Sequence, residues 1–261
     1  MNAADGITVI TLTRRRPLLV QRAIRSVRAQ RTAHPVHHVV LVDDCPDTLA
    51  TLRGLPDLGA RVSYQPRAED EVSGPSRSSR LRNLGVRAAT DPWIAFLDDD
   101  NEWTPDHLDS LVDCAQRRGV RVAYSDVSLH NQDGSDYLAP RWPWAHTVAE
   151  AEREYADYVA KGVCAPGSNV LRDSPGACGV AADTSAWLLA RELLLEIPFA
   201  ERFTAQDANE LQGEDDKLYQ ALVRRREPMA CTGRTTLRYY LGGYSNNPDG
   251  KTDETFCWAS E

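Results

Sequence analysis

Trp93-Ile94-Ala95-Phe96-Leu97-Asp98-Asp99-Asp100 carries the strongest architectural signal in the chain. An apolar run stops abruptly in three carboxylates. The run predicts a buried strand, and the aspartates then lie side by side at one edge of a sheet. Adjacent like charges raise each other's pKa, so the arrangement is costly unless something positive binds there. A hard divalent cation fits, because it takes oxygen ligands and keeps positions open for phosphate oxygens. The competing reading is a solvated acidic loop.

Working outward, strand and helix signals alternate. Ile7 to Leu12 is short and β-branched, and Pro17 to Gln30 predicts a helix with proline in its first turn. Val39 to Val42 is a wholly apolar strand, as in a sheet covered on both faces, and stops at Asp43-Asp44. A short helix over Thr48–Leu52, a strand over Arg61–Tyr64 and a helix over Arg77–Ala89 precede the aspartate strand, with loop composition across 64–79. A helix over Pro105–Arg118 and a strand over Val120–Ser125 follow it. Alternation of this kind predicts an α/β protein with a doubly wound parallel sheet, whose ligands sit beyond the carboxyl ends of the strands. Both acidic clusters lie at such ends, which favours binding over a loop. Beyond residue 126 the alternation fades. Asp126–Pro143 reads as irregular, Val148–Ala160 and Ala181–Glu196 as helices, Gln206–Gly213 as a loop, and a helix starts near Glu214. The tail after Gly242 is turn-rich and expected to be mobile.

At 261 residues the chain can bury a full core. Its formal net charge of −8 argues against a nucleic-acid binder that works by neutralising phosphates. No apolar stretch approaches the roughly 18 residues that span a bilayer. The N-terminus lacks a basic start and apolar core, and the six cysteines are dispersed without metal-site spacing. These features predict a soluble cytoplasmic protein with reduced thiols. Its arginine and alanine richness points to a GC-rich bacterial genome. His34, His37, His38, His107 and His146 form no constellation, and no Gly-x-Gly-x-x-Gly or P-loop pattern is present.

Five segments together resemble the inverting family 2 glycosyltransferases of GT-A fold. They are Leu12-Thr13-Arg14-Arg15-Arg16-Pro17, Val42-Asp43-Asp44, Leu81-Arg82-Asn83-Leu84-Gly85, Asp98-Asp99-Asp100-Asn101-Glu102-Trp103 and Gly213-Glu214-Asp215-Asp216-Lys217-Leu218. The resemblance runs from residue 7 to 226. Leu12, Arg14 and Arg15 depart from the family's Pro, Tyr and Asn, and Leu237-Arg238-Tyr239-Tyr240 lacks the family's histidine, with Tyr240 in its neighbourhood. The resemblance implies a Rossmann-like, mostly parallel sheet with an acceptor-side α+β subregion. The chain would form a single GT-A domain, with a nucleotide-sugar-binding half over 1–125 and an acceptor-binding half over 126–261.

It also implies chemistry. Asp100 is the expected ligand of a divalent metal, Mn²⁺ or Mg²⁺, with Asp98 as a second ligand. Asp98 and Asp99 would contact sugar or ribose hydroxyls, and Asp44 a ring N–H of uracil or thymine, the alternative for Asp44 being a helix cap. Thr13 and Arg14 are expected in the wall around the base, and Arg77 opposite the diphosphate. Asp215 would be the general base, although Glu214, Asp215 and Asp216 also suit a helix N-terminus. Trp142, Trp144 and Glu214 are the acceptor candidates, the tryptophans through stacking on sugar faces or by packing between lobes. The expected reaction moves a hexose from a UDP or TDP sugar to a hydroxyl of a small molecule, glycan or peptide, with a homo-oligomer left open. Two alternatives remain: a degenerate sugar-binding or interaction domain without turnover, and a nucleotidyltransferase.

Overall fold

The computed structural model describes residues 5–68, 71, 74–145, 147–210 and 212–243; His146 and the tail from Tyr244 lie outside them. The N-terminal half follows the alternation that the sequence predicts. It runs β1 (Ile7–Thr13), α1 (Pro17–Arg28), β2 (Val36–Asp43), α2 (Pro46–Arg53), β3 (Arg61–Gln65), α3 (Pro75–Ala88), β4 (Trp93–Phe96), β5 (Glu102–Trp103) and α4 (His107–Arg118). Proline opens α1, α2 and α3, where its fixed φ suits the helix and its missing N–H costs nothing. The remainder runs β6 (Val122–His130), α5 (Val148–Ala160), β7 (Val170–Leu171), α6 (Ser174–Cys178), a 3-10 turn (Thr184–Ala186), β8 (Trp187–Ala190), α7 (Arg191–Glu196), α8 (Ala205–Asn209), α9 (Glu214–Arg224) and β9 (Met229–Tyr240).

The nine strands among the described residues join one sheet in the order β3-β2-β1-β4-β8-β6-β9-β5, with β7 paired to β6. β1, β2, β3, β4, β6 and β9 run one way, while β5, β7 and β8 oppose them. The sheet is therefore mostly parallel, as expected, and position 125/126 falls inside β6. Register sets the site: Thr13 pairs with Val42, Ile10 pairs with Phe96, and Leu97 N–H continues the ladder to Ile10 carbonyl at 3.1 Å. Thr13, Asp43 and Asp98 consequently emerge together at the carboxyl edge.

Alternate residues of β2 serve the two faces, as the two-residue strand period requires. Val40 and Val42 pack with Val20, Ile24 and Leu52 of α1 and α2, whereas Leu41 joins the larger core on the other face. Gly85 lets α3 lie close on β1, because a Cβ there would sit 2.8 Å from Ile10 Cδ1.

Three expectations are corrected. The helix expected over 181–196 is a 3-10 turn, a strand and a short helix. Trp187–Ala190 is buried at every position between β4 and β6, and an apolar run of that length looks alike in a buried strand and a buried helix. The irregular reading of 126–143 misses that β6 continues to His130, its ladder bulged about Asp126. Within 206–213, expected as loop, α8 forms on a Thr204–Asp207 capping box.

Candidate active site

A cavity of about 530 Å³ opens at the carboxyl edge of the sheet. Its donor-side wall includes Leu12, Thr13, Arg14, Arg16, Asp43, Arg77, Arg82 and Asp98 to Asp100, and its far wall Trp142, Trp144, Asp183 and Gly213 to Asp216. The two groups of carboxylates singled out in the sequence thus face one space. Two non-glycine residues beside it, Arg15 and Asp44, hold φ of 56° and 44° in the loops after β1 and β2. Left-handed backbone of this kind is sparsely populated and concentrates at functional sites.

The three aspartates have different neighbours. Asp99 is buried and accepts from Thr13 Oγ1 at 2.7 Å and Arg16 Nη1 at 3.1 Å. Arg16 Nη1 also donates to Asp100 Oδ2 at 2.7 Å. Asp98, the most open of the three, accepts from Arg82 Nη2 at 2.8 Å. Burial is the main cause that pushes the Asp99 carboxyl up to about 7, against the pull of Arg16; Asp100 and Asp98 add to the rise. Burial likewise raises Asp100, again opposed by Arg16. Oxygen donors held in this state suit a hard cation, which would restore their charge.

Arg82, whose side chain is buried, bridges the walls: its second amino group pairs with Glu214 at the start of α9. Asn83 fastens the same helix to the chain after α7, donating to Phe199 carbonyl at 2.9 Å and accepting from Phe199 N–H at 2.9 Å. Asp216 is a cap, its carboxylate accepting from Gly213 N–H at 2.9 Å. Asp215 lines the cavity and accepts from Asp216 N–H at 3.0 Å. Burial first, then Asp216, lifts its carboxyl to about 7, in spite of Arg82. That places a carboxylate near neutrality at the helix start where the resemblance implies a base.

Other candidates lie differently. Arg77 is buried, and its guanidinium donates to Asp43, to both Glu71 oxygens and to the carbonyls of Gln65 and Pro66, at 2.9 to 3.1 Å. With five N–H groups so engaged, Arg77 ties the first turn of α3 to the end of β2, to Gln65 and Pro66 and to Glu71, and Asp43 receives Arg67 as well. Asp44 accepts from the Tyr64 hydroxyl at 3.0 Å and is not among the lining residues; Asp43 is. Trp142 and Trp144 pack with ring centroids 4.9 Å apart, Trp142 against Tyr158 and Trp144 against Tyr239, so they both line the cavity and hold its far wall together. Tyr240 lies outside the lining: its hydroxyl bonds Glu102 and its ring lies under the Arg22 guanidinium.

Sequence reading missed Asp183 and Arg16. Burial, with Asp98 and Asp215 adding, holds the Asp183 carboxyl well above the ordinary range. Its position inside an apparent helix hid it. Arg16 stood in the quoted loop, but its reach to the aspartates follows from the β1–β4 pairing and not from spacing.

A mostly parallel sheet with carboxylates at its strand ends and a second acidic wall opposite is the architecture of a GT-A-fold transferase. Residues 8–175 match the family described as glycosyl transferase family 2, and the chain belongs to that family. It is similar to the succinoglycan biosynthesis protein ExoO of Rhizobium meliloti, 34% identical over 44% of this chain and 31% of the relative. It is also similar to the putative teichuronic acid biosynthesis glycosyltransferase TuaG of Bacillus subtilis, 26% identical over 49% of each chain. These matches span half or less of the relatives' length. Among solved structures, S. aureus TarS 1-349 in complex with UDP-GlcNAc superposes with a TM-score of 0.55 over 94% of this chain and 61% of that one, at 13% identity. That likeness establishes the fold. Among the described residues no helix is long and apolar enough to cross a membrane.

Proposed function

We propose that the chain is an inverting, metal-assisted glycosyltransferase that takes a sugar from a nucleoside-diphosphate donor to an acceptor hydroxyl. The observation that carries this reading is the placement of Asp215 across one cavity from the strand-end aspartates. Asp100 and Asp98 would hold the divalent ion, Mn²⁺ or Mg²⁺. Among the described residues no three His, Cys, Asp or Glu side chains already form a cage, so further ligands would come from the donor's phosphates. When bound, such an ion neutralises charge that develops on the leaving diphosphate.

The protein's own groups do the rest. Thr13 and Arg16 fix Asp99, and Arg82 fixes Asp98 relative to Glu214, so the two walls keep their spacing. Asp215 takes the acceptor proton as the acceptor oxygen bonds to the anomeric carbon. The bond from that carbon to the phosphate oxygen breaks on the opposite face, and its electron pair leaves with the nucleoside diphosphate. A base near pH 7 matches this task, since the proton must be accepted at working pH. The TarS complexes with UDP and UDP-GlcNAc support a UDP sugar over a TDP sugar, and an aromatic far wall suits a saccharide, small-molecule or peptide acceptor.

Family membership sets aside the nucleotidyltransferase alternative. Donor turnover tests what is left, measured as nucleoside diphosphate released from UDP and TDP hexoses over an acceptor panel. Asp100→Ala and Asp215→Asn should each cut turnover by about 10²-fold or more. Turnover unchanged in both would refute the assignment, and none in the wild type would favour the binding domain without catalysis.

A further inference from the structure

Asp183 stands where the two walls meet. It precedes the 3-10 turn at Thr184–Ala186, and its carboxylate accepts from Ser185 N–H at 2.8 Å. That turn is fastened on three sides. Asp98 N–H donates to Ser185 Oγ at 3.2 Å, Trp103 Nε1 to Ser185 carbonyl at 2.7 Å, and Trp187 Nε1 to Ala182 carbonyl at 2.9 Å. The carboxylate is therefore held in place, lines the cavity, and feels both Asp98 and Asp215. Among the described residues no cation pairs with it.

This inference rests on the donor reading above. The anomeric carbon must sit between the leaving diphosphate, on the Asp98 side, and the base, Asp215. A fixed carboxylate flanked by those two faces the sugar itself. We propose that Asp183 accepts hydrogen bonds from hydroxyls of the transferred sugar and selects donors with an uncharged sugar over donors carrying a uronate. Carboxylate oxygens are strong hydroxyl acceptors. A sugar carboxylate in the same place would bring further negative charge against Asp98, Asp183 and Asp215, which already oppose one another's ionisation, while Arg82 is engaged by Asp98 and Glu214; like charges brought together in this way discriminate between ligands.

The test is calorimetric, with Mn²⁺ present, on the wild type, Asp183→Asn and Asp183→Ala. The ligands are UDP, UDP-glucose and UDP-glucuronate, or the TDP set if TDP is the nucleotide bound. Asparagine keeps the oxygen that caps Ser185 and removes a carboxyl that burial holds well above its ordinary range, so Asp183→Asn should fold and melt no lower than the wild type. The wild type should prefer the neutral sugar by about tenfold or more. Asp183→Asn should bring the two sugars to comparable affinity, and Asp183→Ala should weaken UDP-glucose while leaving UDP unchanged. Equal affinities in the wild type would overturn the proposal, as would a preference that survives Asp183→Asn. UDP and UDP-glucose weakening together would assign Asp183 a purely structural role, and so overturn it too. Failure of the wild type to bind either nucleotide would refute the donor reading first, and this inference with it.

Discussion

Replacing Asp215 with asparagine should stabilise the protein while it stops the reaction. The change removes a partly buried negative charge and keeps the side-chain shape. In the folded protein the carboxyl is lifted from 3.8 to about 7, mainly by burial. A difference of about three units corresponds to about 4 kcal/mol, an upper bound because Asp98, Asp183 and Asp216 share the same field. The sign follows from linkage: a carboxyl raised on folding costs stability wherever it is ionised. The cost is full above about pH 7, shrinks as pH falls, and is gone below about pH 4, where folded and unfolded chains are both protonated. Each kcal/mol moves the melting temperature of a chain this long by about 2–4 °C, so Asp215→Asn should melt several degrees higher at pH 8 and like the wild type near pH 4. Turnover should fall by about 10²–10⁴-fold, the contribution of a positioned base. Wild-type kcat/KM should drop about tenfold per pH unit below pH 7, a limb the variant lacks. Paired melts and rate profiles across pH 4–8 measure both. A variant no more stable than the wild type at pH 8, with its rate intact, would refute this account of Asp215.

Arg82→Met leaves the partly buried carboxylates of Asp98 and Glu214 without their shared cation. It should cost about 1–3 kcal/mol in urea unfolding, and an unchanged midpoint would contradict the bridging role. Gly85→Ala forces a methyl onto Ile10 and should cost about 1–3 kcal/mol, partly recovered by adding Ile10→Val. Trp144→Ala should raise the acceptor KM by roughly three- to tenfold with donor KM unchanged, if its ring faces the acceptor. Equal rises in both would mean that it only packs.

Much of the site was legible because its parts are local. A strand that ends in carboxylates can be read from Trp93–Asp100 alone, and Pro17 marks where the chain turns from strand into helix, whereas the helices expected from Thr48 and Arg77 open two residues earlier on Pro46 and Pro75. Asp216 as cap and Asp215 as cavity carboxylate likewise follow from one helix start. What stayed hidden depends on non-local pairing. Trp187–Ala190 is a strand only because β4 and β6 receive it on both edges, and Asp183 reaches the cavity only as a consequence. Arg77, chosen for its place after a loop, is drawn instead to Asp43 and Glu71, partners 34 and 6 residues away. Asp44, one residue beyond β2, takes a left-handed φ and turns to Tyr64.

A donor site built on the strand-end aspartates must bind nucleotide, and calorimetry reads that binding without any acceptor. UDP, TDP and GDP should be titrated calorimetrically into the protein with and without Mn²⁺ or Mg²⁺, and again into Asp100→Ala. Binding of a pyrimidine diphosphate, UDP first, should depend on the metal and be lost in Asp100→Ala. Absence of binding for every nucleotide, or binding indifferent to metal and to Asp100, would contradict such a site.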